Sequence, residues 1–358
     1  MRVVAFTKYG AEAASTRQRL LQYLPALRAA GIEVEWHPLL GDDYVRGLIR
    51  AAKPSRVAIA RHYAARIRQL VAARDADLLW IYAELFPYLP AAFERLAFAG
   101  RVPVVYDFDD AFFHQYDAAR RPLVRRLLAG KLEPLLRGAA ACACGNAYLR
   151  DYADRFCDRT IILPTVVDTD AYVPAPDGGS GPLSIGWIGT PSTWQYVRPI
   201  LPLLAELAAE RGIRVRAVGA GSAAGPDRFD GLDLVDWQEA TEIAEVQRMD
   251  VGVMPLPDEA WARGKSGYKL IQYMACGLPV VASPVGVNAE IVREGKTGFL
   301  ARTPADWRHA LTALLDDAAL RRRMGMNGRA RAEAQYSLAG CAPRMVELLR
   351  SAGRMPVS

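Results

Sequence analysis

Short apolar runs alternate with amphipathic stretches along most of the chain. Residues 1–6 read as a buried strand, 7–14 as a loop through Gly10, and Ser15 or Thr16 as the N-cap of a helix ending near Ala30, with Gly31 as its stop. Strands follow at 33–37, 76–81, 102–107, 139–143 and 160–163, separated by helical segments. Residues 174–182, PAPDGGSGP, have the composition of a linker. Alternation then resumes: a strand at 183–188, a helix at 197–211, strands at 213–218 and 232–237, a helix at 241–248 and a strand at 251–254. Residues 264–282, GKSGYKLIQYMACGLPVVA, predict a glycine-bearing loop, a helix over 268–276, a Gly-Leu-Pro turn and an apolar strand at 279–282. Repeated strand–helix alternation predicts α/β architecture with parallel, doubly wound sheets, whose ligands bind at the carboxyl ends of the strands. Two Rossmann-like domains are expected, over 1–173 and 183–336. The segment 337–358 is expected to be a C-terminal helix packing back on the first of them.

Composition narrows the class. The chain has 358 residues, 51% of them hydrophobic and 23% charged, enough for two sizeable cores. No stretch approaches the roughly 20 uninterrupted apolar residues of a membrane span. The N-terminal MRVVAFTKYG reads as a strand and a polar loop, not a signal peptide, so a cytoplasmic location is expected. Five cysteines, with no Cys-x-x-Cys pair, read as reduced, buried thiols. A net charge of +6 favours anionic partners: nucleotides, nucleic acid or an acidic lipid surface.

The loop Arg263, Gly264, Lys265, Ser266, Gly267 leads into a helix. Free backbone N–H groups, the helix dipole, Lys265 and Lys269 together predict an anionic guest, a phosphate above all. Gly219, Gly221 and Ala224 match the form of a dinucleotide fingerprint, but the next segment reads as a loop into a strand, and the fingerprint needs a helix there. Asp107, Asp109 and Asp110, at a strand's carboxyl end, are open to three readings: site residues, a helix cap, or Mg²⁺ ligands. His114, just beyond, is either a site residue or a surface histidine. In 120–137, Arg120, Arg121, Arg125, Arg126, Lys131 and Arg137 alternate with leucines, as on a solvated helix face or a patch resting on a membrane surface. Nucleic-acid binding finds no support, because no aromatic-interleaved platform accompanies the charge.

Residues 273–282, YMACGLPVVA, are followed by Gly286, Glu290, Ile291, Val292, Gly298, Phe299 and Leu300. With 164–168 (PTVVD) and 186–190 (GWIGT), they make the chain resemble the retaining GT-B glycosyltransferases of family 4. The resemblance implies two Rossmann-like domains facing a cleft and transfer of a sugar from a nucleotide-sugar donor to a glycan or lipid-linked acceptor. It also implies front-side attack assisted by the leaving diphosphate, without metal or cofactor, the nucleotide-sugar being a substrate. The family's two glutamates, eight positions apart, fall here on Gly264 and Gln272. The Arg and Lys that clamp the donor diphosphate have no counterpart in 189–193, GTPST.

The resemblance and the local chemistry together nominate Lys265 as the replacement charge, ahead of Arg263 and Lys269. Asp109 falls where the family often has a histidine close to the transferred sugar, so Lys265 and Asp109 are the catalytic candidates. Gly10, Gly189, Thr190, Arg263, Ser266, Gly267, Lys269 and Gln272 are the donor-binding candidates. Arg17, Glu84 and His114 are assigned to the acceptor side, with Arg19 beside Arg17 as a further anion contact. Surface polysaccharide assembly at the inner face of an anionic membrane is the expected setting. The alternative is a non-catalytic nucleotide-sugar-binding protein on the same shell.

Overall fold

A computed structural model describes residues 1–49, 55–175 and 181–354. The chain divides into two compact units. One comprises Met1–Thr165, Gly264–Ser266 and Cys341–Ser358, the other Val166–Arg263 and Gly267–Gly340. Of the linker-like stretch 174–182, residues 176–180 lie outside the described residues.

The first unit is built on strands β1 (Arg2–Tyr9), β2 (Glu33–Leu40), β3 (Leu78–Tyr82), β4 (Val104–Phe108), β5 (Ala141–Cys144) and β6 (Thr160–Ile162). All pair in parallel, in the order β2-β1-β3-β4-β5-β6. β3, β4 and β5 are buried at every position, which is why they read as continuous apolar runs rather than alternating ones. The second unit carries β7 (Ser184–Ile188), β8 (Arg214–Val218), β9 (Leu232–Val235), β10 (Val251–Met254), β11 (Val280–Ala282) and β12 (Gly298–Leu300). They too are parallel, in the order β12-β11-β10-β7-β8-β9. Each unit is the doubly wound α/β sheet that the alternation predicts, around its own apolar core.

The first loop differs from expectation. β1 runs on to Tyr9, because its pairing with β2 continues to Tyr9 opposite Leu40, and the predicted loop shortens accordingly. The single helix expected from Ser15 or Thr16 to Ala30 is broken into Ala14–Arg19, a 3₁₀ turn at Leu21–Tyr23, and Leu24–Ala29. Pro25 explains the break: it lacks an N–H and sits in the first turn of the second piece. Ala13, not Ser15 or Thr16, is the N-cap, and the Thr16 hydroxyl donates instead to Tyr9 O at 3.0 Å. Gly31, at φ 74°, ends the helix as predicted.

Candidate functional site

In the second sheet the strand order reverses between β7 and β10, and ligands of open α/β sheets bind outside the carboxyl ends at such a point. Gly189 follows β7 there, its N–H donating to Val218 O at 3.0 Å. A Cβ on Gly189 would lie 2.4 Å from the Trp187 ring and 2.9 Å from Lys269 Cε, so the lysine stem lies across this glycine. The Lys269 ammonium stands 5.7 Å from the Trp187 ring centroid. Gly219 follows β8 at φ 79°, and a Cβ on it would come within 2.3 Å of Gly189 O. Close backbone approach is what glycine provides at both positions.

The helix Tyr268–Ala275 starts beside this loop pair. Gly267 caps it at φ 68°, and a Cβ there would meet Ile291 Cδ1 at 2.3 Å. The Tyr273 hydroxyl accepts from Ile188 N at 2.9 Å and so ties the helix to the end of β7. Its N-cap provides no side-chain cap, and its first turn brings the positive end of the helix dipole and Lys269 to the Gly189 loop, a combination that attracts an anion. Thr190 is turned to a different task, forming a capping box with Thr193 at the start of the 3₁₀ helix Pro191–Tyr196. Arg263 is half-exposed and donates to Asp258 at 2.7 Å, which holds that carboxyl below its usual range.

Gln272 is 2% exposed. Its Nε2 donates to Glu242 Oε1 at 2.8 Å and to the Tyr172 hydroxyl at 3.1 Å, while Trp237 Nε1 donates to Glu242 Oε2 at 2.5 Å. Burial, and then the Glu242 charge, push the Tyr172 phenol up. The residue expected to meet a ribose therefore sits in a buried network around Glu242, a carboxylate the sequence did not single out. A lone glutamate opening a helix reads as ordinary dipole complementation, so nothing local distinguished it.

The remaining candidates belong to the first unit. Lys265 Nζ lies 3.0 Å from Asp110 Oδ2, and Asn146 Nδ2 donates to Gly264 O at 3.2 Å and Lys265 O at 3.1 Å. Gly264 packs so closely that a Cβ would lie 2.3 Å from Ala111 Cβ, which leaves no room for the glutamate of the resemblance. Asn146 also caps the helix Ala147–Ala153, and its place between a strand and a helix was the available sequence signal. Asp109 accepts from the Tyr82 hydroxyl at 2.6 Å and from Thr165 Oγ1 at 3.0 Å. Burial, and after it the Asp109 charge, raise the Tyr82 phenol well above its ordinary value.

Asp107 is fully buried against Arg19 at 2.5 Å and accepts from Trp80 Nε1 at 3.2 Å. Burial pushes its carboxyl up to about 6, with Arg19 offsetting part of that effect. Arg19 also donates to Leu163 O at 2.7 Å and is 0% exposed, so it braces the core instead of facing a ligand anion. Arg17 stitches its own loop, donating to Ala11 O at 3.2 Å and Glu12 O at 2.9 Å. Gly10 makes room for Asp42, whose Oδ1 would lie 2.2 Å from an added Cβ. His114 has both ring nitrogens engaged, Nδ1 with Asp117 at 2.8 Å and Nε2 with the Tyr148 hydroxyl at 2.7 Å, neither of them a candidate residue. Among the described residues, no group of three or more His, Cys, Asp or Glu is arranged to hold a metal ion.

The basic run resolves into the helices Pro122–Leu128 and Glu133–Gly138. Lys131 leaves the expected surface patch: it is 1% exposed and ion-paired with Glu94, because the turn between the helices points it into the unit. Leu123 and Leu127, one turn apart, are by contrast 68% and 61% exposed, amid exposed Arg120, Arg121, Arg125 and Arg126.

Two doubly wound parallel units, with a glycine-lined, lysine-bearing strand end in the second, define the GT-B fold of the glycosyltransferases. Residues 183–317 match the family described as Glycosyl transferases group 1. D-inositol 3-phosphate glycosyltransferase from Nocardia farcinica is 32% identical over 223 residues, which make up 54% of this chain and 48% of that protein. The chain thus spans about half the length of the curated relatives that it matches over the longest stretches. Among solved structures, sucrose-phosphate synthase from Thermosynechococcus elongatus superposes with a TM-score of 0.72 at 15% identity, covering 98% of each chain. Anabaena HepE in complex with UDP-glucose gives 0.73 at 14% identity, covering 98% of this chain and 100% of that one. Among the described residues, no helix is long and apolar enough to cross a membrane.

Proposed function

We propose that this protein is a retaining glycosyltransferase that moves a sugar from a nucleotide-sugar, of the UDP type, to a glycan or lipid-linked acceptor without a metal ion. One observation carries the reading: Lys269 lies across Gly189 at the start of the helix Tyr268–Ala275, where β7 and β10 diverge. A leaving diphosphate gains negative charge as its bond to the sugar breaks. A fixed ammonium with backbone N–H groups stabilises that charge without reorganising at the moment of reaction. Positioning of donor and acceptor supplies the other part of the rate, and the leaving phosphate takes the acceptor proton, so no protein nucleophile is needed. The likeness to a UDP-glucose complex supports the donor class. The exposed Leu123 and Leu127 among arginines support work at the cytoplasmic face of an anionic membrane, in surface polysaccharide assembly.

A second reading, a nucleotide-sugar-binding protein without turnover, is favoured by one observation, the absence of room for a carboxylate at Gly264. Incubating the purified protein with UDP-glucose, UDP-N-acetylglucosamine and UDP-galactose, with proton NMR of the released sugar, separates the two. Donor cleavage with an α-anomer formed first is the expected result. Tight donor binding with no cleavage, in the presence of acceptor mixtures as well, selects the second reading.

A further inference from the structure

Among the described residues all five cysteines are free and buried, but they are not alike. Burial pushes the Cys144, Cys276 and Cys341 thiols up, as befits inert core side chains. Cys142 and Cys157, both in the first unit, instead form a pair. Cys142 stands on β5, and Cys157 follows the helix Ala147–Ala153 on the way to β6. The parallel register sets Cys142 opposite Thr160, just past Cys157, so the excursion through the helix returns to the level where it began. One carbonyl fixes both members: Arg159 O accepts from Cys142 N at 2.9 Å, and Cys157 Sγ lies 3.4 Å from that same oxygen. Ala139 O, at the entry to β5, is 3.7 Å from Cys157 Sγ on another side. Both side chains belong to one apolar cluster, with Leu149 and Ala153 of the helix.

The two thiols are inequivalent. A hydrogen bond from the Cys142 thiol outweighs burial and, with help from the Arg159 backbone, brings Cys157 down to about 7 against the opposing charges of Asp158 and Asp154. The same bond, and then burial, push Cys142 up. A hydrogen bond donated to the charged form favours that form, so one sulfur gains thiolate character while its neighbour keeps its proton. Cys157 also holds the solvent edge of the pair, 5% exposed against 0% for Cys142. Oxidants react with the thiolate, and a second thiol beside it is placed to displace the oxidised product. A reactive sulfur backed by a protonated one can therefore oxidise in two steps without leaving the apolar cluster.

We propose that Cys142 and Cys157 are a site of reversible oxidation, at which hydrogen peroxide oxidises Cys157 and Cys142 closes a disulfide with it. The Cys157 thiolate attacks one peroxide oxygen and the O–O bond breaks. Hydroxide leaves and becomes water with the proton that the thiol had released, and Cys157 is left as a sulfenic acid. The Cys142 sulfur then attacks the Cys157 sulfur; the S–O bond breaks, the S–S bond forms, and the hydroxyl leaves as water with the Cys142 proton. Peroxide is thereby reduced to water while two thiols become one disulfide, and a dithiol reductant reverses the change by exchange. The site does not depend on the transferase reading.

The full chain, treated with equimolar hydrogen peroxide and mapped by mass spectrometry without reduction, tests this. The expected product joins the Cys142 and Cys157 peptides with a loss of about 2 Da, for the two hydrogens removed, and disappears with dithiothreitol. Iodoacetamide is expected to label Cys157 of the native reduced protein at least about tenfold faster than any other cysteine, at a rate that rises with pH through a midpoint at about 7. In Cys142→Ser, which keeps a small hydroxyl donor, dimedone should trap a Cys157 sulfenic acid and no disulfide should form. In Cys157→Ser, Cys142 should resist peroxide. Thermal melts check the fold of each variant, and the wild-type map stands without them. Peroxide that leaves Cys157 unmodified, a bond from Cys157 to Cys144, or labelling of Cys157 no faster than of Cys276 overturns the proposal. Passage of Cys157 straight to the sulfinic acid, with no disulfide, overturns the role of Cys142.

Discussion

Replacing Lys269 by methionine removes the ammonium while keeping an unbranched stem to lie against Trp187 and Gly189. An ammonium about 4 Å from a phosphate oxygen, at an effective dielectric constant of about 20, interacts by about 4 kcal/mol. Lys269 is half-buried, and solvent with salt takes roughly half of that, leaving about 2 kcal/mol, or about 30-fold in UDP affinity. Lys265→Met is expected to cost less, about 0.5 to 1 kcal/mol, since Asp110 at 3.0 Å already meets its charge. Titration calorimetry with UDP at about 0.05 M and about 0.5 M salt measures both, and the Lys269 deficit should shrink at the higher salt because screening weakens the lost contact. A Lys269→Met protein that binds UDP within about twofold of the wild type, or a larger loss in Lys265→Met, refutes the placement of the anion.

Four further outcomes are expected. Asp107→Asn leaves Arg19 charged and buried without its partner, at a cost of about 3 to 5 kcal/mol, and should lower the melting temperature by more than about 6 °C; a melt within about 2 °C of the wild type contradicts the pairing. Gly219→Ala combines a left-handed backbone with a Cβ 2.3 Å from Gly189 O, and should lose about 2 to 4 kcal/mol along with most UDP binding; unchanged denaturant midpoints argue against that contact. Leu123→Ser with Leu127→Ser should abolish sedimentation with anionic vesicles at low salt, and equal, negligible binding of the wild type to neutral and anionic vesicles removes the membrane from the scheme. Donor cleavage should survive EDTA, since Asp107, Asp109 and Asp110 are each taken up by protein donors or cations; loss of turnover restored by Mg²⁺ or Mn²⁺ reverses that expectation.

The architecture was legible because its signal is repetitive. Buried parallel strands such as β3, β4 and β7 announce themselves as apolar runs, and stops such as Gly31 carry their own backbone preference. Boundaries were less legible where a neighbour decides them: β1 extends to Tyr9 only because β2 is there to pair with it. Glycines 189, 219 and 267 could be singled out, or suspected, from the chain, but the reason for each is a distant group: the Trp187 ring with the Lys269 stem, Gly189 O, and Ile291. Charges were the hardest to read. Arg19, Lys131 and Arg125 look alike in sequence, yet the first two are buried in ion pairs and the third is exposed, because only packing distinguishes a solvated cation from a paired one. Glu242 escaped notice because two of its partners, Tyr172 and Gln272, are distant in the chain.

The first unit is not contiguous in sequence, and this bears on how it is made. Residues 341–353 of the helix Leu338–Gly353 belong to it: Met345, Leu349 and Ala352 are fully buried, Arg344 donates to Ile162 O, Arg350 to Ala30 O, and Ser351 accepts from Arg159 at 2.6 Å. A ribosome that has finished β6 has delivered every strand of this sheet but not the helix that covers part of it. The nascent unit must therefore hold an uncovered apolar surface while roughly 175 further residues are added, about 10 to 35 s at 5 to 20 residues per second. Over that interval its solubility depends on chaperones or on a provisional cover, and a truncation that ends after Thr165 is expected to aggregate rather than to report on the acceptor side.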